Sequence, residues 1–531
     1  MNWYQTYNPF DNSSLSTLVA ALPIAILLSL LLFTRLKAFL SAFMALGSAL
    51  IIAVCFFNMP ADKAGASLGY GILYGLLPIG WIVLNVFFLF RVLTKAGVID
   101  GLRSALVKIT DDKRLQLLIV AFCFGAMLEG AAGFGTPVAI TAAILIGIGF
   151  SPLQASILSL LANTAPVAYG GLGTPIIALQ VVTGLDLRQL SGMVGLLLTP
   201  FGVLVPVWLV WLYAGWKKTR ELLPVLLIAG LSFAVTQLLV STCHGPWLVG
   251  ILAGLVSLGV TLIAIRIRER KTSSTDHKNL QSDAKSGEVS RKIWLPWAVL
   301  VVLVVMWGIP QFKSLLDTAT FPISIPFLDQ QVFRVPPVTL APKAEAAVLR
   351  LNWLSATGTA IFFAAVINGL ILGFKLCGIF GMFIKAIYEV RFSLLTISGM
   401  MALGFVTRFS GMDATLGLAF AQAGAFYPFF GTLLGWLGVA ITGSDTSSNV
   451  LFGSLQRITA EQLGIDPVVM SAANSAGGVM GKMIDAQSIV IASTSTKWFG
   501  HEREILRGIL LHSLALAILV AVVVTIKIYL F

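Results

Sequence analysis

The stretch of sequence that decides the fold reads LEGAAGFGTP at residues 128–137, a polar and glycine-rich interruption within an otherwise apolar run. A related stretch, NTAPVAYGGLGTP, follows at 163–175. The second half of the chain has a matching set, with TGSDTSSN at 442–449, NSAGG at 474–478 and KMID at 482–485. In hydrocarbon, non-helical backbone is stable only where protein or a water-filled cavity satisfies its polar groups. Two matched sets of interruptions therefore predict a secondary transporter of two repeats, with its substrate held between them.

The composition places the chain in a membrane. Of its 531 residues, 57% are hydrophobic and only 11% are charged, and the mean hydropathy is +0.93. A soluble domain carries about 25% charged residues, so this chain has too few to cover a soluble surface. The net charge of +12 is compatible with nucleic-acid binding, but the cations are placed as the positive-inside rule expects. The predicted fold class is an all-α polytopic membrane protein.

Apolar windows mark the membrane-spanning segments. Windows of about 20 residues, long enough to cross a bilayer, begin near Leu15, Ala38, Leu68, Leu190, Leu222, Pro246, Ile293, Leu351, Phe392 and Ile505. The runs with polar centres are predicted to form re-entrant hairpins at 115–149 and 429–457, and broken transmembrane helices at 153–180 and 468–493. Each of the two repeats, 1–265 and 293–531, then contains one hairpin and one broken helix.

Three further segments are predicted to lie outside the bilayer core. Residues 266–292 are polar and poor in apolar side chains, which predicts a mobile cytoplasmic linker between the repeats. Residues 310–350 carry several prolines and short apolar runs, which predicts an ordered extracytoplasmic loop. Residues 375–391 mix cations with phenylalanine and isoleucine, a pattern typical of an interfacial amphipathic helix.

The distribution of lysine and arginine sets the predicted orientation. On this tracing, one set of connecting segments holds 25 of these cations and the other holds 6. The positive-inside rule places the richer set in the cytoplasm and both termini outside. The first hairpin then enters from the cytoplasm and the second from outside, which is the relation that two inverted-topology repeats require.

The interruptions can form an anion site. An unwound stretch leaves free N–H groups, and the positive end of a helix dipole, at the start of the following half-helix. Ser, Thr and Asn side chains add neutral donors, and the arrangement suits a small carboxylate with an adjacent hydroxyl. Glycine-rich patches often serve only close helix packing, which is the alternative for any one patch. The candidate substrate-binding residues are Thr136, Asn163, Thr164, Tyr169, Thr174, Ser444, Ser447, Asn449, Asn474, Ser475 and Lys482.

Three carboxylates lie where the hydrocarbon core is expected, and such groups are functional candidates by default. Glu129 and Asp445 stand at the two hairpin tips, one in each repeat, and are the first candidates for carrying a proton. Asp485 is a third candidate, although a salt bridge to Lys482, three residues earlier, is an equally good explanation. Lys482 would attract the substrate anion.

Other polar groups indicate structure more than chemistry. Arg408 and Asp413 flank Gly411 and are predicted to pair with each other. Cysteine and histidine spacing indicates no metal site, and neither a nucleophile elbow nor another catalytic arrangement is present in the sequence. We therefore expect no enzymatic activity, no cofactor and no metal.

Four long segments resemble the lactate permease family of bacterial plasma-membrane transporters. They read LEGAAGFGTPVAI at 128–140, NTAPVAYGGLGTP at 163–175, GSDTSSNVLFG at 443–453 and ANSAGGVMGKMI at 473–484. The opening WYQ at 3–5 and the overall length are similar too, so the resemblance covers the whole chain. It implies uptake of lactate, and often of glycolate, by proton symport on a fold similar to other ion transporters with paired hairpins.

Other functions remain open at this point. An ion/proton antiporter or a sodium-coupled carboxylate transporter on a similar inverted-repeat scaffold is the main alternative. A channel is less compatible, because a pore does not require paired discontinuous helices around an occluded site. The residues alone leave undecided the choice among 2-hydroxy acids and the coupling ion.

The charge distribution predicts that the linker is cytoplasmic. A single cysteine at Thr275 in an otherwise cysteine-free protein should react with an impermeant reagent only from the cytoplasmic face, in cells compared with inverted vesicles. Labelling of that cysteine from the extracytoplasmic face would overturn the orientation.

Overall fold

Helices account for most of the chain in the structure, a computed structural model that describes residues 2–530 apart from Arg35, Lys108, Phe134 and 274–290. Within this part of the chain, ten helices are long and apolar enough to cross a membrane, or up to twelve if each of two bent pairs is one span. The predicted class, a polytopic helical membrane protein, is confirmed.

The helices of the first half follow one another with short connections. They are α1 (Ser13–Phe33), α2 (Ala38–Cys55), α3 (Ala61–Tyr74), α4 (Trp81–Lys95), α5 (Val98–Val107), α6 (Lys113–Leu117), α7 (Gly125–Ala131), α8 (Thr136–Ile148), α9 (Pro152–Asn163), α10 (Gly170–Thr183), α11 (Leu187–Ala214), α12 (Trp216–Arg220), α13 (Leu223–Cys243) and α14 (Val249–Ser273). Short π-helical segments at Gly75–Gly80 and Leu118–Phe124, and a 3-10 turn at Val167–Tyr169, join some of them.

The second half adds short strands between its first helices. Its helices are α15 (Arg291–Gly308), α16 (Pro310–Asp317), α17 (Thr357–Ile371), α18 (Leu376–Ser410), α19 (Met412–Ala421), α20 (Tyr427–Thr442), α21 (Asp445–Leu463), α22 (Pro467–Gly481), α23 (Ala486–Ser495) and α24 (Glu502–Leu530), with a short turn at Gly424–Phe426. The strands are β1 (Trp3–Tyr4), β2 (Phe321–Ser324), β3 (Val332–Arg334), β4 (Lys343–Ala344) and β5 (Val348–Leu351).

Polar side chains cap the helices at their first turns. Asn12 accepts from the N–H of Leu15 at the start of α1, and Asp186 caps α11 in the same way. Ser151 and Gln154 form a capping box at the start of α9. Each cap satisfies an N–H that has no partner within its helix, so the chain can turn and enter the next span.

The first predicted hairpin is present. Residues Lys113–Ala131 run as one continuous helical segment, and 94% of its most apolar part is buried inside the protein. Gly133 and Gly135 then take positive φ angles of 60° and 82°, and α8 packs back against α7. Glycine adopts this backbone without the steric cost that a Cβ brings, which allows the tight reversal.

The second hairpin consists of α20 and α21, and it extends to Leu463, beyond the predicted boundary. The reversal uses Gly443, at φ 72°, and Ser444, whose hydroxyl caps α21 by accepting from the N–H of Ser447. The hydroxyl of Ser448 donates to the carbonyl of Gly435 at 3.2 Å and ties the two arms together.

Both predicted broken helices are present as well. The segments Pro152–Asn163 and Val167–Thr183 meet at a bend of 65°, and Gly171, Leu172 and Gly173 adopt left-handed backbone there. In the second half, α22 ends at Gly481, and Asp485 begins α23 by accepting from the N–H of Ser488 at 2.8 Å.

The loop at 310–350 is ordered, as predicted, and it joins the N-terminus. Strand β1 pairs in parallel with β3, β3 pairs with β4, and β2 pairs with β5. The pairing of β1 with β3 places the N-terminal residues and the loop on one face of the protein. This agrees with the predicted tracing, whereas the side of the membrane on which this face lies stays a prediction.

Two boundaries differ from the sequence-based prediction. Helix α14 continues through 266–273, so the first part of the predicted linker is helical, and 274–290 lies outside the described residues. Residues 375–391, predicted to form an interfacial amphipathic helix, are helical from Leu376 onward and continue without a break into the following span as the first half of the 35-residue helix α18; their position at the membrane interface stays a prediction.

The predicted pairing of Arg408 with Asp413 was wrong. Arg408 instead contacts Glu345 of the loop at 2.8 Å, and Glu345 also contacts Arg334 at 2.5 Å. Arg408 donates in addition to the carbonyls of Val181 and Val182 in the last turn of α10. The cation thus connects the loop to the end of the first broken helix, where a positive charge is favoured by the helix dipole.

Burial opposes ionisation of Glu345, but the charges of Arg408 and Arg334 outweigh it and lower the pKa of this carboxyl to about 2. A carboxyl with a lowered pKa contributes stability above its unfolded pKa of about 4.3, and this contribution is lost as the pH falls through about 2. The ion pair is therefore at full strength throughout the physiological pH range.

We predict that Glu345→Gln lowers the free energy of unfolding at pH 7 by ~3–5 kcal/mol, because it leaves two buried guanidinium groups without their anion. Glu389→Gln, which removes the partner of Arg91 in a more exposed pair, should cost less than ~1 kcal/mol. Unfolding of the purified protein in detergent measures both, and equal losses would contradict the interpretation.

Candidate functional site

A cavity of about 370 Å³ lies where the two hairpin tips meet the two broken helices. Its wall combines residues from both halves of the chain: Lys37, Ala38, Phe39, Glu129, Gly133, Val167, Gly170, Thr174, Pro175, Phe392, Ser393, Thr396, Ile397, Thr442, Gly443, Ser444, Asp445, Thr446, Ser447, Lys482 and Gln487. The volume is within the range of small-molecule sites. Six predicted residues meet here: Glu129, Thr174, Ser444, Asp445, Ser447 and Lys482.

The carboxyl of Asp445 is buried at the first residue of α21. Its Oδ2 accepts from the hydroxyl of Ser475 at 2.5 Å and from the amide of Asn449 at 3.4 Å. Its Oδ1 has no hydrogen-bond partner among the described residues. One oxygen of Asp445 is thus fixed by the protein, and the other is buried and free to take a proton.

Glu129 holds the corresponding position in the first repeat. It is buried at the end of α7, and its Oε2 has no hydrogen-bond partner among the residues that the structure describes. The amide of Asn163 lies beside Glu129, but neither atom of that amide has a hydrogen-bond partner among the described residues. The carboxyl of Glu129 is held less tightly than that of Asp445.

A glycine from the broken helix of the same repeat packs against each carboxyl. A Cβ added at Gly170 would lie 2.5 Å from Oε1 of Glu129, and one added at Gly478 would lie 2.5 Å from Oδ1 of Asp445. A carbon cannot approach an oxygen so closely, so any larger residue must displace the carboxyl. The need for space at both positions explains two of the glycines in the sequence motifs.

Lys482 supplies a cation to the same wall. Its Nζ donates to the carbonyl of Gly443 at 2.6 Å and lies 3.2 Å from Oδ2 of Asp485. The predicted salt bridge between Lys482 and Asp485 is therefore confirmed. Asp485 is fully buried and also caps α23, so it connects Lys482, just after the end of α22, to the start of α23. Lys482 itself is part of the cavity wall.

Helix starts add to the positive potential of the cavity. Its wall includes residues of the first turns of α21 and α23, and of the right-handed part of α10 that follows Gly173, represented by Ser447, Gln487 and Thr174. The unpaired N–H groups and the dipole of a helix start favour an anion. A small carboxylate is the ligand class that these helix starts and Lys482 suit best.

The remaining predicted ligands are not part of this wall. Thr164 donates to the carbonyl of Leu161, and Tyr169 to that of Ser191. Thr136 lies in a second cavity that Arg91 and Lys385 also line. Asn163, Asn449, Asn474 and Ser475 are buried and are not part of the cavity wall.

Sequence reasoning missed several residues of the cavity wall. Thr442 and Thr446 belong to the TGSDTSSN motif, so their place in that motif could have identified them as wall residues. Gln487 lies two residues after Asp485, beyond the KMID segment. Ser393 and Thr396 lie in the middle of α18, where the sequence carries no comparable interruption.

We predict that Gly170→Ala and Gly478→Ala each lower substrate uptake severalfold or more, because the added Cβ displaces the neighbouring carboxyl from its position at the cavity. Gly47→Ala and Gly259→Ala are matched controls, since a Cβ at either position meets nothing within 4 Å. Uptake by equal amounts of folded protein measures the effect, and near-normal uptake by the first two variants would contradict the packing argument.

Comparison with known proteins gives one consistent result. The family described as L-lactate permease matches residues 16–531. The glycolate permease GlcA of Escherichia coli is 42% identical over 100% of this chain and 99% of its own. The L-lactate permeases of Salmonella typhimurium and Bacillus subtilis are 41% and 40% identical, each covering 98% or more of both chains. The chain belongs to the L-lactate permease family.

Proposed function

We propose that the protein imports lactate, together with small 2-hydroxy monocarboxylates such as glycolate, by proton symport across the bacterial plasma membrane. The observation that carries the proposal is the meeting of two buried carboxyls, Glu129 and Asp445, with the cation of Lys482 in one cavity between the repeats. The names of the relatives, lactate and glycolate permeases, support the substrate class.

Substrate recognition would use opposite charge and neutral donors. The substrate carboxylate would lie near Lys482 and the helix starts, and its hydroxyl near the side chains of Thr442, Ser447 or Thr446. Phe39 and Phe392, stacked with ring centroids 5.4 Å apart, give one part of the wall an apolar surface. This combination favours a short acid over a large or multiply charged one.

Proton coupling would follow from charge repulsion in a buried site. A substrate carboxylate and an ionised Asp445 side by side are two like charges in a medium that screens them poorly. The anion therefore binds best when Asp445 carries a proton on its free Oδ1. Release of the substrate on the other side would favour release of the proton, so the two move in the same direction.

Two other couplings fit the same scaffold. An ion/proton antiporter would move protons without any carboxylate, and a sodium-coupled transporter would depend on sodium. Uptake of radiolabelled 2-hydroxy acids into proteoliposomes, with a pH or a sodium gradient imposed separately, distinguishes these from proton symport. Accumulation driven only by sodium, or proton flux that needs no anion, would contradict the proposal.

We predict that Asp445→Asn abolishes uphill uptake driven by a pH gradient but spares lactate exchange, because the amide mimics the protonated carboxyl. Glu129→Gln should impair accumulation less, since Asp445 is the more tightly positioned of the two. Asp466→Asn is a matched control: Asp466 is an exposed helix cap of α22, and asparagine caps equally well. Full pH-driven accumulation in both cavity variants would show that another group carries the proton.

A further inference from the structure

Four buried side chains form a continuous row from Asp445 toward the far end of the second hairpin. The hydroxyl of Tyr427 donates to Oε1 of Gln456 at 2.7 Å, and Nε2 of Gln456 donates to Oδ1 of Asn474 at 3.2 Å. Nδ2 of Asn474 donates to Oδ1 of Asn449 at 3.0 Å, and Nδ2 of Asn449 donates to Oδ2 of Asp445 at 3.4 Å. Every bond in the row donates in the direction of the carboxyl.

The direction of the row is fixed by two backbone carbonyls. Nε2 of Gln456 also donates to the carbonyl of Gly431 at 2.6 Å, and Nδ2 of Asn449 to that of Pro175 at 3.2 Å. A reversed amide would place its oxygen against a carbonyl oxygen, so both amides can have only the observed orientation. Asn474, between them, must then present its oxygen to Gln456 and its nitrogen to Asn449.

The amides of this row have no N–H left to donate to a substrate. An amide nitrogen has two hydrogens, and those of Asn449 go to Asp445 and Pro175 while those of Gln456 go to Gly431 and Asn474. Those of Asn474 go to Asn449 and Ser448. These residues act on the carboxyl instead. Aligned donors polarise one another in a medium of low dielectric, and hydrogen bonds to a carboxylate favour its charged form.

We propose that Tyr427, Gln456, Asn474 and Asn449 are positioning residues that set the pH at which Asp445 takes up the transported proton. The inference rests on the proposed function, in which Asp445 carries that proton. Asn449 has a second effect, because its bond to the carbonyl of Pro175 connects Asp445 to the broken helix α10 of the first repeat. When Asp445 gains or loses its charge, the strength of the hydrogen bond from Asn449 to its carboxyl changes. The second hydrogen bond of the same amide joins Asn449 to Pro175 in α10.

Charged groups near Asp445 also influence the pH at which it takes up a proton. On the elements that pack against α21 or line the cavity, they are Glu129, Lys482, Asp485 and Lys37 around the cavity, Arg408, Asp413, Arg457 and Glu461 farther along α18, α19 and α21, and Lys385, Glu389 and Arg391 in the first half of α18. Helices α10, α20 and α22 contribute no charged side chain. The polar row runs between α20, α21 and α22, and its own members carry no charge.

The test is the pH profile of lactate uptake in variants of the row. Asn474→Ala should raise the external pH of half-maximal uptake by roughly a few tenths of a unit, because it removes the donor that orients and polarises Asn449, whose own hydrogen bond to the carboxylate is worth about half a unit or more. Tyr427→Phe, which removes only the first donor, should shift it in the same direction by less. Thr432→Val is the control, since its hydroxyl, in the same hairpin, donates to the backbone of its own helix.

Lactate exchange at saturating concentration should continue in all three variants. An unchanged pH profile in folded Asn474→Ala and Tyr427→Phe, or a loss of uptake that is equal at every pH, would overturn the inference and leave the row a purely structural role. If Asn474→Ala does not fold, Tyr427→Phe decides alone. If the unchanged protein shows no pH-driven uptake, the proposed function itself fails, which is a different result.

Discussion

The structure depends on one constraint, which is that hydrocarbon offers no partner to a backbone N–H, a backbone carbonyl or a carboxylate. Each unsatisfied group costs several kcal/mol there. The chain meets this constraint by enclosing its helix breaks and its acids within protein, where the first arm of the first hairpin, Lys113–Ala131, is almost completely buried. The two breaks, the two hairpin turns and the two carboxyls consequently share one place in the molecule, and the cavity forms between them.

The two repeats solve this problem in similar but unequal ways. Each places a carboxyl at its hairpin tip and a glycine of its broken helix against that carboxyl. Asp445 accepts hydrogen bonds from Ser475 and Asn449, whereas Glu129 accepts none among the described residues and has the unpaired amide of Asn163 beside it; Lys482 lies in the cavity wall that both carboxyls share. This difference in hydrogen bonding is the physical reason to place proton transfer at Asp445 and a supporting role at Glu129.

The sequence predicted the parts that depend on local patterns. Apolar windows gave the spans, and glycine-rich interruptions gave both hairpins and both broken helices, because these features are determined by residues close in the chain. The partner of Arg408 was not predictable in this way, since Glu345 lies 63 residues away and reaches it only through the fold of the loop. The wall residues Ser393 and Thr396 were missed for the same reason, because nothing in their neighbourhood distinguishes them from lipid-facing helix. The row from Tyr427 to Asp445 likewise depends on three helices packed together.

Movement of lactate and protons together is the central claim, and the pH inside proteoliposomes tests it most directly. A lactate gradient is imposed from outside with the pH equal on both sides, and protein-free liposomes of the same lipid correct for diffusion of undissociated lactic acid. The account predicts acidification of the lumen well above that of protein-free liposomes, and none above it with Asp445→Asn. Protein-dependent lactate entry without any protein-dependent change in lumenal pH would contradict the account.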